Sequence, residues 1–181
     1  MKDFSELISV RRSHRKFTEE AVSEDDLRLI VRAGLIAPSS KGLHACEFVV
    51  VRDGKTIGQL SRCKAQGADF LAGAPLVIVV AGNPEVSDVW IEDASVASTM
   101  LLLQAEDLGL GACWVQIRDR KDAEGGNAED NVRRILGLSE RLRVLSIIAV
   151  GHKGMERKPF NEDRLLWDKV HVYSPLIPLD L

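Results

Sequence analysis

Two stretches of the chain leave its fold little freedom: APLVIVVAG, residues 74–82, and RVLSIIAVG, residues 143–151. Each is an almost unbroken run of Val, Ile, Leu and Ala bounded by Gly, Pro or charge. Such a run reads as a strand covered on both faces. EFVVV (47–51) and ACWVQI (112–117) complete a set of four strands, three of them nearly continuously apolar. Something must lie on each side of such a sheet, and the helical segments supply it. DFSELISV is a short amphipathic helix. SEDDLRLIVRAGLIA opens with Ser23 and Asp26 in capping-box spacing, carries Leu27, Ile30, Val31 and Leu35 on the helical period, and stops before Pro38. SDVWIEDASVASTMLLLQAEDLGL predicts a long helix ending at Gly109, apolar on most sides of its middle and therefore running through the core. Two further helices fall between strands. The order α, α, β, α, β, α, β, α, β gives one sheet sandwiched by helices, in the α+β or α/β class.

A length of 181 residues, 45% hydrophobic, suits one domain spanning the whole chain. A net charge of −3 argues against a general nucleic-acid binder, which would show a basic stripe. The apolar stretches APLVIVVAG and SVASTMLLLQA are too short to span a bilayer. The first ten residues carry acids inside their apolar run and do not read as a signal peptide, so a cytoplasmic location is expected. Cys46, Cys63 and Cys113 are odd in number and widely spaced, which argues against a disulfide framework, and no C-x-x-C or H-x-x-x-H pair seeds a metal site.

Familiar motifs fail on their mechanics. GLGACW (109–114) lacks the third glycine of a dinucleotide fingerprint and follows a helix instead of a strand. It reads as a helix C-cap turning into a buried strand. DGKT (53–56) lacks the first P-loop glycine, because position 49 is valine, and reads as a strand-to-helix turn. Glu92 and Asp93 suit the first turn of the long helix. The four histidines are scattered, and no nucleophile elbow is present. RDRKDAEGGNAEDN (118–131) predicts an exposed, mobile loop. Residues 152–181 carry three prolines, almost no periodicity and many large apolar groups, among them Phe160, Leu165, Leu166, Trp167, Leu176 and Ile177. A free tail seldom carries so many, so this arm should lie on its own domain or on a partner subunit.

The remaining feature is SVRRSHRKF (9–17), with five potential cations in nine residues. In an extended segment Arg11, Ser13 and Arg15 would share a face. Two guanidinium forks and a hydroxyl suit a phosphate. The other reading of the same residues is a solvated basic turn.

Five segments in order carry a resemblance to a known family. RRSHRKF stands where that family has R-R-S-x-R-x-F. AGLIAPSSKGLHACEFVVV matches its A-P-S-x-x-N-x-Q-P-W-x-F-x-V-V region. EDASVASTMLLLQAEDLGLGACWV matches its long helix, turn and strand, and IIAVGHKG and DRLLWDKVH match its last strand and C-terminal arm. The chain thus resembles the nitroreductase-like flavin mononucleotide (FMN) oxidoreductases, at their small end. The resemblance implies a three-layer α/β/α sandwich of the α+β class, with a mostly antiparallel sheet and an extended C-terminal arm on the partner subunit. It also implies a homodimer with FMN in the subunit interface, no metal, and ping-pong transfer from NAD(P)H to a nitroaromatic, quinone or related electrophile. Reductive dehalogenation, desaturation, flavin breakdown and a non-catalytic flavin carrier are the other chemistries the fold would allow.

By position in the family pattern, Arg11 and Ser13 would hold the FMN phosphate, with Arg12 nearby and Arg164 and Lys158 completing the site. Arg15 would approach the N1/O2 edge of the ring, where a fixed cation favours reduction. Pro38, Ser39 and Ser40 would line the ring and ribityl chain, from the other subunit. Trp114, Val115, Gln116 and Ile117 would run beside the ring, with a backbone amide near N5, and Gly151 would sit at the nearby turn. The hydride chemistry belongs to the cofactor, so no catalytic side chain is expected. The family's Asn and Gln-Pro-Trp fall here on Gly42 and on His44, Ala45 and Cys46. One flavin hydrogen bond is thereby missing or comes from elsewhere, and a bulky ring gives way to a small thiol.

Overall fold

The computed structural model describes residues 3–173. Pro175, Leu176, Ile177 and Pro178 of the predicted arm lie outside the described residues. The elements follow the order α1 (Phe4–Val10), α2 (Glu24–Leu35), β1 (Cys46–Val51), α3 (Gly54–Leu60), β2 (Leu76–Gly82), α4 (Trp90–Asp107), β3 (Gly111–Gln116), α5 (Ala128–Leu136) and β4 (Arg143–Gly151). The strands form one antiparallel sheet in the order β1-β2-β4-β3. The two most apolar runs, β2 and β4, are therefore its central pair.

Alternation along β2 divides the core in two. Val77, Val79 and Ala81 face α3 and α5, while Leu76, Ile78 and Val80 face α2 and α4. All six are at most 1% exposed. Each of the five larger side chains, Ala81 aside, contributes roughly 1.5–3 kcal/mol on burial. On β4 the register slips where Val80 pairs with Ser146 but Ala81 pairs with Val144. This bulge inserts Leu145 without an opposite partner, and resets the alternation so that Leu145 and Ile148 both face α4. Ser146 is reached there by Ser98 of α4, hydroxyl to hydroxyl at 3.1 Å.

The turn signals act as the sequence predicts. The Ser23 hydroxyl accepts from the Asp26 N–H at 3.0 Å and caps α2, and Asp53 accepts from the Thr56 N–H at 2.8 Å and caps α3. Gly109 takes φ +78° and ends α4. Two expectations are revised. α4 is not enclosed: Ala94, Ala97, Leu101 and Ala105 are buried, but Val96 is exposed and Met100 and Leu103 are half-covered. Met100 and Leu103, with Phe4, Leu7 and Ala33, line a shallow groove of about 270 Å³. Segment 118–131 is exposed at its tip yet tied down. Asp122 accepts from the Gly126 N–H and from Asn131 Nδ2 at 2.7 Å, and Ala128–Asn131 already belongs to α5. Residues 156–173 are exposed throughout, with only short turns at Glu162–Arg164 and Trp167–Lys169. Among the described residues no helix is long and apolar enough to cross a membrane, and no group of His, Cys, Asp or Glu could hold a metal.

Candidate functional site

After α1 the chain runs straight along the edge of the sheet. Ser13 bridges Ala112 in parallel, and the His14 N–H donates to the Ala112 carbonyl at 2.9 Å. Beyond it Thr18 N–H donates to the His152 carbonyl at 3.1 Å, and Gly154 N–H donates to the Lys16 carbonyl at 3.0 Å. Segment 13–18 is thereby laced to β3 and to the residues after β4. His14 anchors it from inside, at 2% exposure. A Cβ on Gly111 would stand 2.8 Å from His14 Cβ, so only glycine admits this approach. Nearby, Lys153 Nζ donates to buried Glu106 at 2.6 Å. Burial, followed by the Lys153 charge, lowers the His14 pKa.

The residues on either side of His14 face outward. Arg11, Arg12, Ser13 and Arg15 line a cleft of about 440 Å³ together with Arg157 and Phe160. Two aromatic plates hold the guanidinium groups: Arg12 lies 5.8 Å from the Phe160 ring centre, and Arg15 lies 5.9 Å from that of Phe70. Phe160 is held in turn by its N–H, which donates to the Ser9 carbonyl at 2.9 Å. Beneath the cleft lies the Cys113 thiol, whose pKa burial raises against the pull of Arg15 and Arg11. Lys158 and Arg164 line an adjoining cleft of about 740 Å³ that shares Arg12, Arg157 and Phe160 with the first. Among the described residues no carboxylate comes within ion-pair range of any of these six cations.

β3 offers the second part of the site. Along an antiparallel strand successive backbone groups point to opposite edges. Ala112 turns its carbonyl to His14, away from β4, so Trp114 and Gln116 also turn their N–H and C=O groups to the outer edge. Lys64 confirms the direction by donating to the Gln116 carbonyl at 2.9 Å. Trp114 and Gln116 are half-buried and joined ring N–H to amide oxygen at 3.0 Å. Val115 and Ile117 send their side chains into the α3/α5 core and turn their backbone toward β4, where Val115 pairs with Ile147 and the Ile117 N–H donates to the Leu145 carbonyl at 3.0 Å. Gly151 pairs with Gly111, and a Cβ there would meet Pro75 at 2.7 Å.

The remaining predicted residues stand apart. Pro38 and Ser39 line a separate pocket of about 260 Å³ with His44, Cys46, Phe48 and Asp93. Asp93 of α4 shapes this loop by accepting from the Ser40 N–H at 2.8 Å. Lys41, Gly42 and His44 all take positive φ, so the turn is strained at its two non-glycine positions. Cys46 lines the pocket wall, its pKa raised to about 11 by burial and then by Asp93. The chain therefore unites Arg11, Arg12, Ser13 and Arg15 and brings Lys158 and Arg164 next to them, but does not bring Pro38, Ser39 and Ser40 to the same cleft. Sequence reasoning missed Arg157, Phe70 and Lys64. Arg157 adjoins Lys158 and was available as a basic pair, whereas Phe70 and Lys64 carry no local signal.

A cationic cleft beside an open strand edge defines a class of protein: an antiparallel α/β/α sandwich suited to seat a phosphate-bearing ligand at the rim of its sheet. Comparison with known proteins gives the family. The chain matches the model of the Nitroreductase family over residues 8–67 and 58–152, and it belongs to that family. It is similar to the FMN-dependent nitroreductase of Clostridium difficile R20291, with 41% identity and a TM-score of 0.90 over 93% of this chain and 98% of that one. A protein of Archaeoglobus fulgidus that bears an NADH dehydrogenase/NAD(P)H nitroreductase name is 30% identical, covering 94% of this chain and 98% of its own. A solved complex with FMN from Desulfovibrio desulfuricans has 28% identity and a TM-score of 0.78, over 96% of this chain and 98% of that one.

Proposed function

We propose that the chain is an FMN-dependent oxidoreductase that takes two electrons from NAD(P)H and delivers them to a nitroaromatic, quinone or related electrophile, the two substrates using one site in turn. The observation that carries this reading is the cleft of Arg11, Arg12, Ser13 and Arg15, crowded with cations that no carboxylate answers among the described residues. Its donors fit the cofactor. A phosphomonoester is a near-dianion with three acceptor oxygens, and guanidinium forks with a hydroxyl match it. Bound FMN supplies the redox chemistry of the site.

The chain's own residues bind and orient. Arg11 and Ser13 hold the phosphate, with Arg12 and Arg157 beside it. Arg15, stacked on Phe70, supplies a fixed positive charge to the N1/O2 edge of the ring. The outward N–H groups of Trp114 and Gln116 offer donors along the ring's side. Pro38, Ser39 and Ser40 line the ring from a second copy of the chain. Two features support such a homodimer: the half-open apolar face of α4, and an arm that exposes Leu165, Leu166 and Trp167 by 44–61%.

Purified protein is expected to be yellow, to elute as a dimer, and to bleach anaerobically on addition of NADH or NADPH. Colourless protein that cannot be reconstituted with FMN overturns the reading.

A further inference from the structure

The loop between α2 and β1 takes its shape from one distant group. Residues 41–44 are exposed, so packing does not hold them. Lys41, Gly42 and His44 take φ of +53°, +66° and +48°. Left-handed backbone at a lysine and a histidine persists only where the surroundings impose it. Most of the loop's hydrogen bonds are local. The Gly42 and Leu43 N–H groups donate to the Ser39 and Ser40 carbonyls, and the His44 N–H donates to Ser39 Oγ at 3.1 Å. Among the described residues only Asp93 ties segment 38–44 to a distant element by a hydrogen bond, accepting the Ser40 N–H at 2.8 Å. The carboxylate is fixed in turn. It stands in the first turn of α4, where the helix dipole favours an acid, and is 6% exposed. The Ser87 hydroxyl donates to its other oxygen at 3.3 Å. No cation pairs with it among the described residues. A buried carboxylate without a counter-charge is costly to keep, which marks the place as one with a task.

Resting on the reading above, in which Pro38, Ser39 and Ser40 line the flavin ring of a second copy, we propose that Asp93 is a positioning residue for that ring. It reaches from α4, sets the Ser40 amide, and so fixes the surface that the loop presents across the interface. Asp93 acts through the loop and lies apart from the cation cleft: it shares a pocket with Pro38, Ser39, His44 and Cys46, not with Arg11, Ser13 or Arg15. Without its acceptor the Ser40 N–H is free to turn, and the strained residues after it relax. A shift of about 1 Å in a group that orients a reactant is enough to matter roughly 100-fold in rate. Each site of the dimer then depends on Asp93 of one copy and on Arg11 of the other.

Fluorescence titration with FMN and the visible spectrum of FMN-saturated protein test the inference. In Asp93→Ala the affinity should fall roughly tenfold, the worth of about one charged hydrogen bond, and the visible band of bound FMN should move toward that of free FMN. Asp93→Asn keeps an oxygen that can accept the Ser40 N–H and should recover most of both. Ser98→Ala controls for lost stability. It breaks the buried hydroxyl pair with Ser146 at 3.1 Å, on the same helix but away from the loop, and should leave affinity and spectrum as in wild type. Wild-type affinity and spectrum in Asp93→Ala overturn the inference. So does the same spectral change in Ser98→Ala, which would reduce Asp93 to packing. A mixed dimer shows where Asp93 acts. Arg11→Ala and Asp93→Ala chains, co-expressed with different tags and isolated as the heterodimer, should bind FMN with wild-type affinity in one of the two sites, because the other site collects both defects. A heterodimer with no intact site would mean that Asp93 serves the cations of its own copy, and overturns the inference while the flavin reading stands. A wild type that stays monomeric or cannot take up FMN sinks that reading as well.

Discussion

The cations of this chain fall into two populations. Arg52 pairs with Glu24, Arg133 with Asp130, Arg143 with Glu129 at 3.0 Å, and Lys153 with Glu106 at 2.6 Å. Arg11, Arg12, Arg15, Arg157, Lys158 and Arg164 pair with no carboxylate among the described residues and crowd two adjoining clefts. The first population closes the fold. The second costs the folded chain mutual repulsion, and a site that breaks a local rule in this way is where function is expected. Lack of a partner is not the signature by itself, for Arg28 on α2 has no carboxylate partner among the described residues either. Crowding without acid is.

Removing one member of each population separates what the two do. Glu106 is 2% exposed, and Glu106→Ala strips Lys153 of its counter-charge in a largely buried place. The expected loss is about 3 kcal/mol of stability, read as a fall in the urea midpoint. Arg11→Ala and Arg15→Ala should act the other way round. FMN affinity should fall about 10- to 100-fold, the worth of one or two charged hydrogen bonds, while the apoprotein melts no lower than wild type because repulsion is relieved. Fluorescence titration and thermal melts separate the two effects. An Arg11→Ala apoprotein as destabilised as Glu106→Ala, with FMN affinity intact, would erase the distinction.

This contrast also marks what could be read from the sequence. The layers were legible because β2 and β4 are apolar on both faces, and capping at Ser23, Asp53 and Gly109 is local chemistry. The order β1-β2-β4-β3 was not, since strand neighbours are chosen by tertiary packing. The exposed face of α4 was misread because an apolar helix face left half-open has the same composition as one inside a core. In the site, the Arg11–Ser13–Arg15 alternation was visible. Phe70, which reaches Arg15 from 55 positions away in sequence, was not. The division of the basic residues into two clefts depends on Phe160 and Arg157 meeting the N-terminal segment, and no short-range pattern encodes that meeting.

A smaller effect tests whether the unpaired group depends on the paired one for its placement. Gly111→Ala leaves every cation in the chain but puts a methyl group 2.8 Å from His14 Cβ. Segment 11–15 must then shift outward. Overpacking of this kind costs about 1–3 kcal/mol, and FMN affinity should fall severalfold with all the arginines present. Unchanged FMN affinity in a measurably destabilised Gly111→Ala protein would show that the cleft tolerates displacement of its backbone.

The smallest effect is set by His14, which lies between the two populations. Burial lowers its pKa, and Lys153 lowers it further. The folded state therefore holds His14 neutral at pH values where the unfolded chain, with a histidine near the usual 6.5, already binds a proton. The stability this provides is complete above pH 6.5 and is lost as pH falls toward the depressed folded value. Glu129 has the opposite sign, because burial raises its pKa and folding then gains as pH falls. A whole-protein pH profile mixes the two, but the difference between wild type and His14→Met isolates the histidine. The variant removes a buried ring nitrogen, Nδ1, that has no hydrogen-bond partner among the described residues, so it should fold without a large penalty. Its urea midpoint should fall less than that of wild type between pH 6.5 and 5. If FMN affinity in wild type weakens over the same interval and stays flat in His14→Met, the proton is acting on the segment that carries Arg11, Ser13 and Arg15. Parallel profiles in the two proteins would confine His14 to packing and leave the cleft's geometry independent of it.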